Sequence, residues 1–229
     1  QNGQAPVDNS IFAPSLVGTK RLGRAAGVNS NTADLVYEIY LENLGNVILN
    51  NINITEDLAA VFGNGNVSGV TVQFVPGSNA AGLTLNPAFN GTTVKTLFNP
   101  GQQLPNKVRN NPNYFVKLQV ACRATNLSTQ TTYLNSAIAS AQVGAASPLT
   151  TLNVADSSNN GDSTFTDPNK NGNSGDAGED EPTPFSFGAL PVKFLQVNGT
   201  LQADGSAQIR WQVATPMENA DRFEVEFST

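Results

Sequence analysis

Histidine is absent from the 229-residue sequence, and cysteine occurs once, at Cys122. Without histidine the chain lacks the commonest general base and the commonest transition-metal ligand, which excludes Ser-His-Asp and Cys-His triads and histidine-ligated zinc sites. A single cysteine excludes an intrachain disulfide and a cysteine metal cluster. Cys122 falls on the apolar face of a predicted strand, so we interpret it as a buried, inert thiol. We therefore expect a protein that is not an enzyme.

Charge is also scarce, at 13% of residues, while asparagine, threonine, serine and glycine are frequent, a composition typical of β-rich secreted proteins. The net charge of −6 and the lack of any basic run disfavour nucleic acid as a partner. The sequence contains no run of about twenty apolar residues, so it predicts no transmembrane segment. The chain begins at Gln1, as a mature chain does after signal-peptide removal, although a shortened chain would begin in the same way. We expect an extracellular protein.

Apolar and polar residues alternate in several short segments, which predicts β-strands with one buried face. The alternation is most regular over residues 35–41 and 114–123, and residues 47–55 repeat it with Ile48 facing inward. A Gly-Asn turn between residues 41 and 47 predicts that the two neighbouring segments form a β-hairpin. Residues 56–62, closed by Gly63, predict the one helical turn of this region.

The predicted fold is all-β. About seven short strands, separated by turn signals and without crossover helices, predict an immunoglobulin-like antiparallel sandwich over residues 16–155, after an extended N-terminal segment at residues 1–15. A second alternating pattern begins near residue 190 and contains a hairpin turn at Asp204-Gly205. Its three predicted strands are fewer than a fibronectin type III-like module needs to cover its apolar face, so residues 190–229 form a partial module in this interpretation. Trp211 is its predicted core residue.

An acidic segment, assigned as the linker of residues 156–189, separates the two β-patterns. Its first part, residues 156–184, holds seven of the eighteen acidic residues and one cation, Lys170, so its local charge equals that of the whole chain. It contains almost no apolar side chain and is not expected to be core. Two interpretations stay open: a solvated acidic linker, or a loop held together by a cation.

Within this linker, residues 167–173 follow the pattern D-x-N-x-N-G, which places oxygen side chains at alternating positions before a glycine turn. Calcium loops wrap a hard cation with this spacing. The acid that would complete an EF-hand stands one position too far along, and no helices flank the loop, so this is not an EF-hand. The candidate calcium ligands are the oxygen-bearing side chains of this stretch, namely Asp167, Asn169, Asn171, Asn173, Asp176 and Glu179.

Four segments together resemble the DUF11-like repeat of large bacterial surface proteins. They are Lys20-Arg21-Leu22, the stretch YEIYLENLGN at residues 37–46, ITEDL at residues 54–58, and Asn135-Ser136-Ala137. The resemblance covers roughly residues 15–184. It implies an immunoglobulin-like module with a structural or adhesive role at the bacterial cell surface, and it brings no catalytic residues with it.

Residues 190–228 are similar to the fibronectin-like module that precedes the sorting signal in type IX-secreted proteins of Bacteroidota. The motifs that carry this likeness are Leu190-Pro191-Val192, Trp211, Glu218-Asn219 and the run FEVE at residues 223–226. The resemblance implies export to the cell surface.

The leading functional hypothesis is a non-enzymatic extracellular structural or adhesive surface protein, as a subunit of a fibre or surface assembly. Its expected partners are other copies of itself or neighbouring surface proteins, joined by strand exchange with the partial module. The alternative is a carbohydrate- or ligand-binding accessory module of a larger secreted protein. That alternative needs exposed aromatic side chains, and the sequence offers Tyr40 and Phe115 on outward faces.

Overall fold

The computed structural model describes residues 15–108, 110, 112–143, 152–160, 180–188 and 194–213. The bounds of its helix and strands, in chain order, are β1 Leu16–Asn29, β2 Thr32–Asn43, β3 Leu49–Glu56, α1 Leu58–Phe62, β4 Val67–Phe74, β5 Gln103–Leu104, β6 Phe115–Ala124, β7 Thr132–Asn135, β8 Ala137–Val143, β9 Leu152–Ser157, β10 Asn159–Asn160, β11 Thr183–Ser186, β12 Phe194–Leu201 and β13 Ala207–Val213. A 3-10 turn, Pro112–Tyr114, precedes β6. No helix in the described ranges is long and apolar enough to cross a membrane.

The larger sheet has five strands in the order β10-β1-β2-β6-β4. All neighbours are antiparallel except β1 and β10, which are parallel. The alternation seen in the sequence fixes which face of β2 and β6 is buried: Leu35, Tyr37 and Ile39 face inward on β2, and Leu118 and Val120 face inward on β6.

The smaller sheet has four strands in the order β5-β3-β8-β9, all antiparallel. A separate two-stranded ribbon pairs β7 with β11, with Asn135 opposite Thr183. Inward residues of both large sheets, such as Leu35 and Leu118 on one side and Ile54 and Ala139 on the other, belong to one apolar core. The prediction of a mostly β fold with antiparallel sheets is therefore confirmed.

The predicted hairpin of residues 35–55 is wrong. β2 and β3 belong to different sheets, so the connection between them crosses from one sheet to the other. The inward position of Ile48 is also wrong, because its side chain is 48% exposed while Leu49 is buried. A register shift between Asn50 and Asn53, with Asn51 at a φ of 49°, moves the alternation by one residue within β3.

The helical turn predicted over residues 56–62 is present, but it begins two residues later, because Glu56 belongs to β3. α1 begins after Asp57, whose carboxylate accepts a hydrogen bond from the backbone N–H of Ala60, and it ends at Gly63. The backbone N–H groups of Leu58 and Ala59 donate to the carbonyl of Gly91. This contact anchors the helix to the loop that precedes β5.

Parts of the segment assigned as the acidic linker lie in strands. β9 runs to Ser157, β10 follows at once, and β11 occupies residues 183–186. Asp156 and Thr183 are buried, and Phe185 belongs to the core. Alternating polar and apolar residues are too few in this segment for either strand to be recognised from the sequence. The domain boundaries as a whole stay a prediction.

β12 and β13 form the hairpin predicted around Asp204-Gly205, and the Asp204 carboxylate accepts hydrogen bonds from the backbone and the hydroxyl of Ser206. Trp211, predicted as a core residue, has a side chain that is 39% exposed. The third predicted strand of this module lies outside the described residues. Val197 and Leu201 on β12 are also exposed, at 60% and 77%.

Candidate functional site

A lysine without solvent exposure lies between the two large sheets. Lys20 belongs to β1, where Leu16 to Lys20 are all buried, and its relative exposure is 0%. Its ammonium nitrogen lies 4.7 Å from the centre of the Tyr37 ring on the neighbouring strand β2. Lysine is among the residues least often buried without a partner. Its position therefore requires a compensating group.

Glu56, the last residue of β3, supplies that group from the opposite sheet. The Lys20 Nζ atom lies 2.6 Å from Glu56 Oε1 and 2.5 Å from Oε2, and both side chains have 0% exposure. The backbone N–H of Glu56 donates to the carbonyl of Lys95. A charged pair thus spans the core and joins the first strand of the larger sheet to the smaller one.

Asn135 completes the cluster from a third direction, the end of β7. Its Nδ2 donates to Glu56 Oε1 at 2.9 Å, so the asparagine amide and the lysine amine contact the same carboxylate oxygen. Asn135 is fully buried. Among the described residues, two buried side-chain oxygens at this place have no hydrogen-bond partner, namely Asn135 Oδ1 and Tyr37 Oη. We call Lys20, Glu56, Asn135 and Tyr37 the core polar cluster.

Burial controls the electrostatics of this cluster. Burial lowers the pKa of Lys20 below that of an ordinary lysine, and the Glu56 carboxylate opposes that shift. Burial likewise raises the pKa of the Tyr37 hydroxyl, which stays protonated. Cys122, as predicted, lies in the core, and burial raises the pKa of its thiol to about 12.

The cluster therefore brings together an amine of weakened basicity, a carboxylate and a carboxamide, away from water. A neutral amine is a nucleophile, a carboxamide carbon is an electrophile, and a carboxylate can move protons between them. In the described part of the chain, this is the place where complementary reactive groups converge in an enclosed space.

β1 is held in place by two further buried contacts near Lys20. The backbone N–H of Gly18 donates to Asp156 Oδ2 at 2.6 Å, across 138 residues of sequence. The Thr183 hydroxyl donates to the carbonyl oxygen of Lys20 at 2.8 Å. The strand that carries Lys20 is thus attached to β9 and β11, which both follow Asn135 in the chain.

An aromatic patch lies on the outer face of the larger sheet. The rings of Tyr40 and Phe115 stack with centroids 5.7 Å apart, and Tyr114 meets Phe115 edge-on at 5.2 Å. The ammonium groups of Lys117 and Lys107 lie over the rings of Tyr40 and Tyr114. All three rings are half-buried, so the predicted outward positions of Tyr40 and Phe115 are confirmed.

The candidate calcium ligands all lie outside the described residues. Within the described ranges, no group of three or more histidine, cysteine, aspartate or glutamate side chains is arranged to hold a metal ion. Asp156, the first acidic residue of the linker, accepts the hydrogen bond from the backbone N–H of Gly18. Calcium binding by the linker stays a prediction.

The sequence reasoning missed the core polar cluster. The β1 segment, with Lys20 beside Arg21 and two glycines and two alanines later in the strand, does not alternate regularly, so nothing marked the lysine as buried. A signal was nonetheless present: Lys20, Glu56 and Asn135 stand in three of the four segments that carry the DUF11-like resemblance.

Comparison with known proteins adds no assignment to this geometry. No family model, no curated protein and no solved structure matched this chain. Function must be argued from the residues themselves.

Proposed function

We propose that this chain is a non-enzymatic structural or adhesive module of an extracellular, bacterial cell-surface protein, with an immunoglobulin-like arrangement of its sheets. The observation that carries the proposal is the core polar cluster, because it connects the first strand, the opposite sheet and the strand beside β11. The resemblance to DUF11-like repeats and to the fibronectin-like module of type IX-secreted proteins supports the same role.

The position of the cluster suits a module that is pulled at its ends. Force that enters at β1 reaches Lys20 after a few residues. Force that leaves at β11 acts beside Asn135, because Asn135 pairs with Thr183 of β11. Contacts between these strands must break before the core can open. A module in a surface fibre needs this resistance, whereas an intracellular enzyme does not.

Single-molecule pulling on the chain between two reference modules tests the proposal. We expect residues 20–135 to stay folded up to forces that unfold an ordinary β-module, and Glu56→Ala to unfold at lower force. An unfolding force equal for both chains would contradict a load-bearing role. Protease treatment of intact cells that make the protein tests its location, because a surface module is released or degraded while cytoplasmic proteins stay intact.

A second candidate function, binding of a carbohydrate or similar ligand, is favoured by the aromatic patch alone. Sugar rings stack on exposed aromatic faces, and Tyr40 and Phe115 present neighbouring rings on one sheet. A glycan array followed by calorimetry tests this function. Tyr40→Ala should abolish any binding that is found, whereas Gln73→Ala, a polar change on the same outer face, should not.

The proposed partners are other copies of the chain, joined through the partial module. Exposed apolar residues on β12 support this, since Val197 and Leu201 would be covered by an added strand. Light scattering during size exclusion should show self-association that Leu201→Asp weakens. A strictly monomeric chain over the whole concentration range contradicts strand exchange.

The proposed cofactor is calcium at the linker. Binding would raise the melting temperature and protect residues 156–184 from protease, because ordering of a loop by a cation stabilises the folded state by mass action. Thermal unfolding in calcium and in chelator measures the effect, and an Asp167→Asn variant is the control. Equal melts and equal protease sensitivity would remove calcium from the proposal.

A further inference from the structure

We propose that Lys20 and Asn135 become joined by an amide bond between their side chains, formed by the chain itself with release of ammonia, and that Glu56 transfers the protons. The bond would be a covalent cross-link inside the core. This inference does not rest on the proposed function, because it follows from the chemistry of the buried groups alone.

The three side chains are placed for this reaction. Three strands from different parts of the fold, β1, β3 and β7, bring Lys20, Glu56 and Asn135 together with 0% exposure each. Glu56 Oε1 receives hydrogen bonds from Lys20 Nζ at 2.6 Å and from Asn135 Nδ2 at 2.9 Å. The nucleophile and the leaving group of an amide exchange therefore contact one and the same proton carrier.

The Lys20 amine lies where its uncharged, nucleophilic form is favoured. A protonated lysine is not nucleophilic, and an exposed lysine is almost always protonated at neutral pH. Burial favours the uncharged amine of Lys20, and the adjacent carboxylate can accept the proton that it loses. The pair can thus exchange its two buried charges for two neutral groups without any movement of the backbone.

The steps balance without a co-reactant. Glu56 takes one proton from the Lys20 ammonium, and Nζ attacks Cγ of Asn135, which forms a C–N bond and places negative charge on Oδ1. Nζ then loses a second proton and Nδ2 gains one, with Glu56 as carrier. The bond from Cγ to Nδ2 breaks, Oδ1 returns to a carbonyl, and ammonia leaves. No atom is oxidised or reduced.

Two buried oxygens of the cluster are without hydrogen-bond partners among the described residues. Negative charge develops on Asn135 Oδ1 during the attack, and this atom has no hydrogen-bond partner in the described part of the chain. The hydroxyl of Tyr37 is also buried and without a hydrogen-bond partner, and the Tyr37 side chain interacts with that of Asn135. If this hydroxyl turns toward Oδ1 during the attack, it donates a hydrogen bond to the developing charge, and such donors lower the barrier of acyl transfer.

The surroundings favour the product. Water is excluded, so hydrolysis of the amide does not compete, and the released ammonia is diluted into solvent, which prevents the reverse reaction. The reaction also removes a buried ion pair, whose desolvation is costly, and replaces it with a neutral amide. A chain that folds correctly is therefore expected to cross-link itself fully.

Peptide mapping of the folded, purified chain tests the proposal. Trypsin cannot cut after an acylated lysine, so the expected product is one branched peptide of residues 1–21 joined to residues 124–170, about 17 Da lighter than its two parts together. Intact mass alone does not decide, because cyclisation of Gln1 or of an Asn-Gly pair releases the same ammonia. Free peptides of residues 1–20 and 124–170 would overturn the proposal.

Three variants identify the groups. Lys20→Arg and Asn135→Ala should yield no branched peptide. Glu56→Gln keeps the size of the side chain and should slow formation of the bond by about 10²-fold or more, because general acid–base catalysis is lost. Tyr37→Phe should slow it less. A Glu56→Gln chain that folds, by circular dichroism, and cross-links as fast as the wild type would contradict the assigned role of Glu56.

Discussion

Two ion pairs of nearly equal length lie in opposite surroundings. Lys20 and Glu56 approach to 2.5 Å with no solvent exposure, between the two sheets. Arg123 and Asp34 approach to 2.7 Å on neighbouring strands of the larger sheet, with side chains 49% and 46% exposed. The same distance therefore accompanies two different physical situations.

The difference lies in what each pair gives up in water. The exposed pair keeps most of its hydration, so its attraction is screened and its contribution to stability is small. The buried pair loses its hydration, and each partner then depends on the other. Distance alone does not show which ion pair matters; burial does.

Removal of one buried partner should produce the largest effect. In an Asn135→Ala background, which cannot form the proposed cross-link, Lys20→Met leaves the Glu56 carboxylate in the core without its cation, and such changes lower the free energy of unfolding by about 3–5 kcal/mol. Urea titration followed by fluorescence measures the loss. In the same background, the double variant Lys20→Met with Glu56→Leu should recover much of it, because no charge then remains buried at that place.

Asp156 should give the next largest effect. Asp156→Ala removes the acceptor of the Gly18 N–H inside the fold, and an unsatisfied buried donor costs about 1–3 kcal/mol. The same urea titration applies. Asp204→Ala, at the exposed turn between β12 and β13, is the matched control, and an equal loss in both variants would contradict the importance of burial.

The reactivity of Cys122 extends the comparison to a group with no ionic partner. Because burial raises the pKa of this thiol to about 12, the thiolate is disfavoured in the folded state. Stability from this group is full below the thiol pKa of the unfolded chain and falls as the pH rises above it. At pH 8.5 iodoacetamide should label Cys122 only in urea, and rapid labelling of the native chain would contradict its burial.

The exposed pair should give the smallest effect. A hydrogen bond from Arg123 lowers the pKa of Asp34, so the stability from this carboxyl is present at neutral pH and lost as the pH falls through its folded-state pKa. Because solvent screens the pair, Asp34→Asn should lower the urea midpoint at pH 7 only slightly, and less in high salt than in low salt. A loss as large as that of Lys20→Met would overturn the comparison.

The parts of the fold that could be predicted are those in which one face alone is buried. β2 and β6 alternate along their length, and their inward residues were identified from period two. The turn at Asp204-Gly205 and the end of the helical turn at Gly63 could also be predicted, because local residues determine them. The sheet to which β3 belongs could not be predicted, since only tertiary pairing decides it.

The core polar cluster could not be derived from the sequence for a related reason. Nothing local distinguishes Lys20 from the exposed Arg21 beside it. Its burial results from β3 and β7, which lie 36 and 115 positions later, where Glu56 and Asn135 stand in ordinary polar contexts. A composition without histidine argued against acid–base chemistry, whereas the proposed cross-link needs only a lysine, a glutamate and an asparagine away from water.

The hydrogen bond from the Thr183 hydroxyl to the Lys20 carbonyl joins positions 163 residues apart. Strand pairings that span such separations form slowly, because a long loop must close before any contact stabilises it. During synthesis, β11 leaves the ribosome last among the strands that surround β1. We therefore expect the nascent chain to remain incompletely folded until residue 183 has emerged, which delays closure of the core until the chain is outside the ribosome.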